Sequence, residues 1–181
     1  PVHGGFIQKR AGITRHDPVV WGYARAASAA GVDIVQQCEV TGMHSSDSRV
    51  TSLETTRGRI SADRIVLCVA GHSGHLAAMA GLRLPISSVA LQAMVTEPVK
   101  PMLDVGLMSA HIHVYVSQSD RGELVIGGGA DLYNSYAQRG GLPVQQETMQ
   151  ALMELLPVLS RLRMMRQWAG ICDMAPDVSP I

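Results

Sequence analysis

Residues 64–70, RIVLCVA, are apolar at nearly every position after the arginine. A strand with one wet face alternates, so a run without alternation predicts a strand covered on both faces, as in the middle of an α/β sheet. It leads into GHSGH, 71–75, ahead of a short helix. Ligands of open α/β sheets sit beyond such strand ends, and Gly71 and Gly74 would let backbone approach one closely. A plain strand-to-helix turn is the competing reading.

Elsewhere the punctuation is local. Asp17 reads as an N-cap, Pro18 suits the first helical position and Gly31 closes the far end, so a helix is expected over 18–30. Val20, Ala24 and Ala27 recur at helical spacing as its buried stripe. VDIVQQCEV (32–40) reads as a strand, SSDS as a turn, RVTSLETT (49–56) as a second strand and RG as a tight turn into RISA. After Pro85 the style changes. ISSVALQAMVTEP (86–98), HIHVYVSQ (111–118) and ELVIGGG (123–129) read as antiparallel strands, the last two joined by SDRG. A helix over 144–156, with Met149, Leu152, Met153 and Leu156 on one side, stops at Pro157, and MMRQWAGIC (164–172) is one more strand. The fold class expected is therefore α/β of mixed, α+β character. Part of an α/β domain covers 1–84, a domain with a mostly antiparallel sheet covers 85–165, and a strand over 166–181 returns toward the first.

Composition narrows the function classes. Fifteen basic and fifteen acidic residues cancel, with no clustered cationic stripe, which argues against a nucleic-acid partner. No apolar run approaches the roughly 18 residues of a membrane helix and no signal-peptide pattern opens the chain, so the expected compartment is the cytoplasm. Cys38, Cys68 and Cys172 are odd in number, far apart and without a C-x-x-C, the pattern of reduced packing thiols. The chain opens at Pro1 and closes on DVSPI just after apparent structure, which reads as a piece of something longer.

Three constellations bear on chemistry. Gly127, Gly128 and Gly129 follow an apolar strand, but no third glycine stands where a G-x-G-x-x-G fingerprint needs it, so they read as a hairpin end. His111 and His113, two apart on a strand, would share a face, and His72 with His75 would share a helix face. Such pairs can hold a metal, yet no H-E-x-x-H or D-x-D accompanies them. On the same strand Ile112, Val114 and Val116 alternate with His113, Tyr115 and Ser117, giving one core face and one polar face fit to line a small carboxylate or simply to face solvent. The third is ITRHDPVVWGYARA, 13–26. His16 sits beside Arg15 at the positive end of a helix, a setting that favours a neutral and hence nucleophilic ring, and the same terminus welcomes an anion. A surface histidine is the competing reading.

R-H-D-x-V-x-W-G-Y-A-R at 15–25, V-A-G-H-S at 69–73 and Y-V-S-Q-S-D-x-G-E-L-V at 115–125 resemble together, along the whole chain, the β subunits of heterotetrameric sarcosine oxidases, FAD-dependent amine oxidases related to glycine and D-amino acid oxidases. The resemblance implies an FAD-binding α/β domain over 1–84 and a substrate domain from 85. It implies noncovalent FAD and oxidation of sarcosine to glycine, with a one-carbon unit passed to tetrahydrofolate or released as formaldehyde. Electrons reach FMN near the other subunits, where oxygen becomes hydrogen peroxide. It implies that FMN is joined covalently to His16, that Val40, Ala70 and Gly71 lie against FAD, and that Tyr115 and, after it, His113 line the substrate pocket.

Two departures from the family pattern stand out. The strand bearing G-x-G-x-x-G is missing, and so is the family's segment beyond SPI. The 181 residues are accordingly expected to be a fragment with little or no catalysis alone. A noncatalytic subunit-interaction module and a histidine-based metal enzyme are the rival readings.

Overall fold

In the computed structural model, which describes residues 3–179, the chain divides into two units, residues 1–37 and 38–181. The first is built on α1 (His16–Ala29), in whose first turn Pro18 does no harm because that N–H would have no partner anyway. Asp17 is not the N-cap. The helix starts two residues earlier than expected, Arg15 takes the extended cap conformation without a side-chain cap bond, and Asp17 already lies in the first turn. The far end closes as expected. Gly31 has a positive φ of 88°, its N–H donates to Ser28 O and the Val32 N–H reaches back to Ala27 O, both at 3.0 Å. These two bonds make a Schellman motif. The buried stripe is not formed: Ala24 and Ala27 are half-buried and Val20 is exposed. Among the described residues 3–37 there is no second helix or strand for that stripe to pack on. Residues 32–39 form no strand either, because a strand exists only where a neighbour pairs with it, and pairing begins at Val40.

The second unit opens with an antiparallel meander, β1 (Val40–Ser46), β2 (Arg49–Thr55) and β3 (Gly58–Ser61), in spatial order β1-β2-β3. Asp47 and Ser48 both have positive φ, 50° and 63°, the type I′ geometry that a two-residue hairpin loop requires. The RIVLCVA run departs from expectation. Residues 64–69 pair with no described segment; half-buried Ile65, Leu67 and Val69 alternate with exposed Arg64, Val66 and Cys68, and Val66 is 80% exposed. Cover on both faces needs ladder neighbours first, and here there are none. The segment ends in a 3₁₀ turn, Ala70–His72, and α2 (Ser73–Met79), which Gly81 closes with a second Schellman motif through Leu82 N–H to Ala77 O.

The larger sheet has the order β5-β6-β7-β4-β8, with every pairing antiparallel. Its strands are β4 (Ser87–Pro98), β5 (Leu107–Ser109), β6 (Val114–Gln118), β7 (Glu123–Ala130) and β8 (Met164–Met174). Period-2 alternation sends Met94, Val114, Val116, Leu124 and Ile126 to one face, where they pack with Leu152 and Leu159 into the core. Leu152 comes from α3 (Leu142–Leu155), which starts with Pro143 in its first turn. Its buried line is Val144, Thr148 and Leu152, one i,i+4 row; Met149 and Leu156 pack at the core edge, whereas Met153 turns outward. The expected strand of 111–118 begins only at Val114, since 111–113 form the turn after β5, with His113 at φ 49°.

Leu152→Ala leaves a cavity against fully buried neighbours and is expected to lower the stability of the chain by about 2–5 kcal/mol. The urea unfolding midpoint measures it. An unchanged midpoint would show that α3 does not hold this face.

Candidate functional site

On the buried face of β4 the even-numbered positions are Ser88, Ala90, Gln92, Met94 and Thr96, all buried. A polar side chain there has to find a partner, and each one fixes a different piece of chain. Ser88 Oγ donates to Gly71 O and so ties down the turn after residue 69. Gln92 donates to Asp131 Oδ1 at 3.0 Å and accepts from the Gly141 N–H at 2.7 Å and from Gln167 Nε2 at 2.9 Å. Thr96 Oγ1 accepts from the Leu124 N–H at 3.1 Å. No buried side-chain polar atom among the described residues lacks a partner.

The opposite face of the sheet is open. Register aligns one residue from each strand across it: Met108 with Tyr115, Tyr115 with Gly127, Gly127 with Ala93 and Ala93 with Trp168. Directly paired residues point to the same side, so this row presents two aromatic rings with a glycine and an alanine between them. Tyr115 and Trp168 are 39% and 38% exposed, and three strand spacings set their backbones roughly 14 Å apart. Arg166 follows Trp168 on the same face, opposite Val95. Gly127 is buried under the Tyr115 ring, so Ala93 is the small residue left between the two rings, with a cation at the corner.

This row explains the glycine triplet. A Cβ on Gly127 would fall 2.1 Å from the Tyr115 ring, one on Gly128 would strike His113 O at 2.3 Å, and one on Gly129 would crowd Val144 Cγ1 at 2.9 Å. The triplet thus admits a ring, a neighbouring backbone and a helix. Tyr115 therefore lies on the open face as its alternation predicts. His113 is not beside it on a strand; it belongs to the turn and is exposed. The shared strand face expected for His111 and His113 is likewise lost to that turn.

Ala70 and Gly71 stand together at the 3₁₀ turn. Ala70 holds φ 43°, while Gly71 is buried with its missing Cβ 2.4 Å from Ile171 Cγ2 and 2.7 Å from Ile171 O. Residue 71 is a glycine for close contact with β8. Val40 opens β1 opposite Thr55, in the meander. His16 belongs to the first unit: it is the first residue of α1, its side chain is 90% exposed, and Nε2 lies 3.1 Å from Asp17 Oδ1. That carboxylate contact is absent from the sequence reading. Among the described residues no three His, Cys, Asp or Glu side chains come together to hold a metal. Nor is any described helix long and apolar enough to cross a membrane.

The family model described as FAD dependent oxidoreductase matches residues 1–181. The chain belongs to that family. It is 54% identical over all 181 residues to the sarcosine oxidase subunit beta of Rhodobacter capsulatus and 50% identical to that of Arthrobacter sp., covering 44% and 45% of those proteins. The chain thus spans less than half the length of the curated relatives it matches. Among solved structures, L-proline dehydrogenase from P. horikoshii superposes with a TM-score of 0.81 at 23% identity, over 90% of this chain and 44% of that one, which establishes the shared fold.

The turn at Ala70 and Gly71 is fixed by its neighbours. The extended segment 64–69 delivers it, Ser88 pins it, and residue 70 is exposed in a left-handed conformation. Trp168, Arg166 and Ala93 are the members of the open face that sequence reasoning missed. Their strands were legible, but adjacency of β4 to β8 is a matter of register, which single-strand alternation does not carry.

Gly127→Ala is expected to lower stability by about 1–3 kcal/mol, because Cβ and the Tyr115 ring compete for one space. In a Tyr115→Ala background the same change should be neutral or stabilising by up to about 1 kcal/mol, the ordinary preference of a strand for alanine over glycine. Urea unfolding of the four proteins closes the cycle, and additive costs would refute the pairing.

Proposed function

We propose that the chain is part of the β subunit of a heterotetrameric sarcosine oxidase acting in the cytoplasm. Its whole-chain likeness to sarcosine oxidase β subunits carries the reading. Residues 1–84 then belong to an FAD-binding domain, 85–165 to a substrate domain, and 166–181 return toward the first. The reaction is oxidation of sarcosine to glycine, with the one-carbon unit passed to tetrahydrofolate or released as formaldehyde, and with oxygen reduced to hydrogen peroxide. Bound flavins supply the two-electron acceptor chemistry and the methyl carbon at which a covalent bond forms.

The chain's own residues position and bind. Val40, Ala70 and Gly71 lie against noncovalent FAD, and the exposed backbone at residue 70 supports this. Tyr115 walls the substrate side of the open sheet face, with Trp168 opposite and Arg166 placed to receive a carboxylate. His113, on its turn and exposed, is the further pocket residue that the resemblance implies. His16 is the attachment point of FMN. Its ring is accessible, and Asp17 Oδ1, 3.1 Å from Nε2, would hold an N–H there and leave the other ring nitrogen as the one that would carry the flavin.

Two measurements test this. Acid precipitation and digestion of the assembled oxidase should yield a yellow peptide containing His16, and His16→Ala should leave all flavin extractable; a yellow peptide from another position would overturn the assignment. The isolated 181 residues, which carry no G-x-G-x-x-G strand, should release little or no sarcosine-dependent peroxide. Robust turnover by them would refute the division of labour proposed here.

A further inference from the structure

A hollow of about 540 Å³ opens between α2, the loop after it and residues 134–136. Leu82 and Ile86 give it an apolar wall, while Arg83, His75, Asn134 and Tyr136 bring polar groups to it. No Asp or Glu lines it, and Arg83 has no ion pair among the described residues. A guanidinium with no carboxylate beside it, and with apolar surface behind it, matches a small anion that carries a hydrocarbon part.

The polar side of the hollow is held in place. The Tyr136 ring centroid lies 5.1 Å from that of His72 and 6.4 Å from that of His75. Its loop runs along β4, with the Asp131 N–H donating to Ala90 O at 3.0 Å, the Ser135 N–H to Ser88 O at 2.9 Å and the Gly141 N–H to Gln92 Oε1 at 2.7 Å. Ser88 Oγ sits 3.4 Å from the Tyr136 hydroxyl, but its single hydrogen is already directed at Gly71 O. The Tyr136 O–H is therefore the donor in this long contact, and an incoming carboxylate would take it over from Ser88 Oγ.

We propose that this hollow binds a small organic carboxylate, with its hydrocarbon part against Leu82 and Ile86 and its carboxylate at the Arg83 and Tyr136 side. The inference needs neither a flavin nor His16, so it stands or falls apart from the oxidase reading.

The test is an NMR titration of the 181-residue chain, following the ring carbon–proton signals of His72 and His75, with butyrate, inorganic phosphate and butylammonium as probes. Butyrate should give saturable shifts, phosphate should bind about tenfold more weakly for want of the apolar contact, and butylammonium should give none. Arg83→Gln should weaken butyrate about tenfold, the loss of one charge-assisted hydrogen bond, and Tyr136→Phe should weaken it by a smaller factor. Phosphate binding as tightly as butyrate would reduce the hollow to a bare cation. Saturable shifts with butylammonium, or undiminished affinity in Arg83→Gln, would overturn the proposal.

Discussion

Everything in the larger unit is referred to β4. It pairs with β7 on one side and β8 on the other, and its buried face is polar at three of five positions, Ser88, Gln92 and Thr96. Burying such groups is unfavourable unless each finds a partner, so the strand is stable only when four other pieces of chain are correctly placed. Ser88 demands the turn at Gly71, Gln92 demands the loop that runs from Asp131 to Gly141 and the side chain of Gln167, and Thr96 demands the start of β7. The apolar members of the face, Ala90 and Met94, add burial without direction. The hydrogen bonds therefore give this strand its specificity, and the same bonds hold both the turn at Gly71 and the loop carrying Tyr136.

Much of this was legible before any coordinates. Strands β4, β6, β7 and β8 announce themselves by alternation and by turn residues, and Asp47–Ser48 and Gly31 do in the structure what their conformational freedom allows. What failed has a common cause. Residues 32–39 and 64–69 have the composition of strands, but composition describes a segment and a strand is a relationship. Without a paired neighbour, Val66 is exposed in spite of its apolar surroundings. Asp17 was misread because a cap is defined by backbone conformation, and the helix begins two residues too early for it. His113 was misplaced for a related reason, since a positive φ turns the chain just before the strand starts.

The site was legible in its parts and not in its assembly. His16 and Tyr115 stand out by their neighbours in sequence, whereas Trp168 and Ala93 become informative only when β8 is laid against β4 and β4 against β7. The register explains what they can do together. A ring on each side of two small residues is a geometric statement that no single stretch of the chain contains.

The bond between Tyr115 and Gly127 is one of vacancy: the ring occupies the volume where residue 127 would otherwise carry a side chain. The depth of the open face there is consequently a property shared by two codons. Randomising position 115 alone exposes a strip of bare backbone, and randomising 127 alone ejects the ring into the slot. Anyone reshaping this surface would have to vary the two as a unit, trading aromatic bulk on β6 against a methyl group on β7.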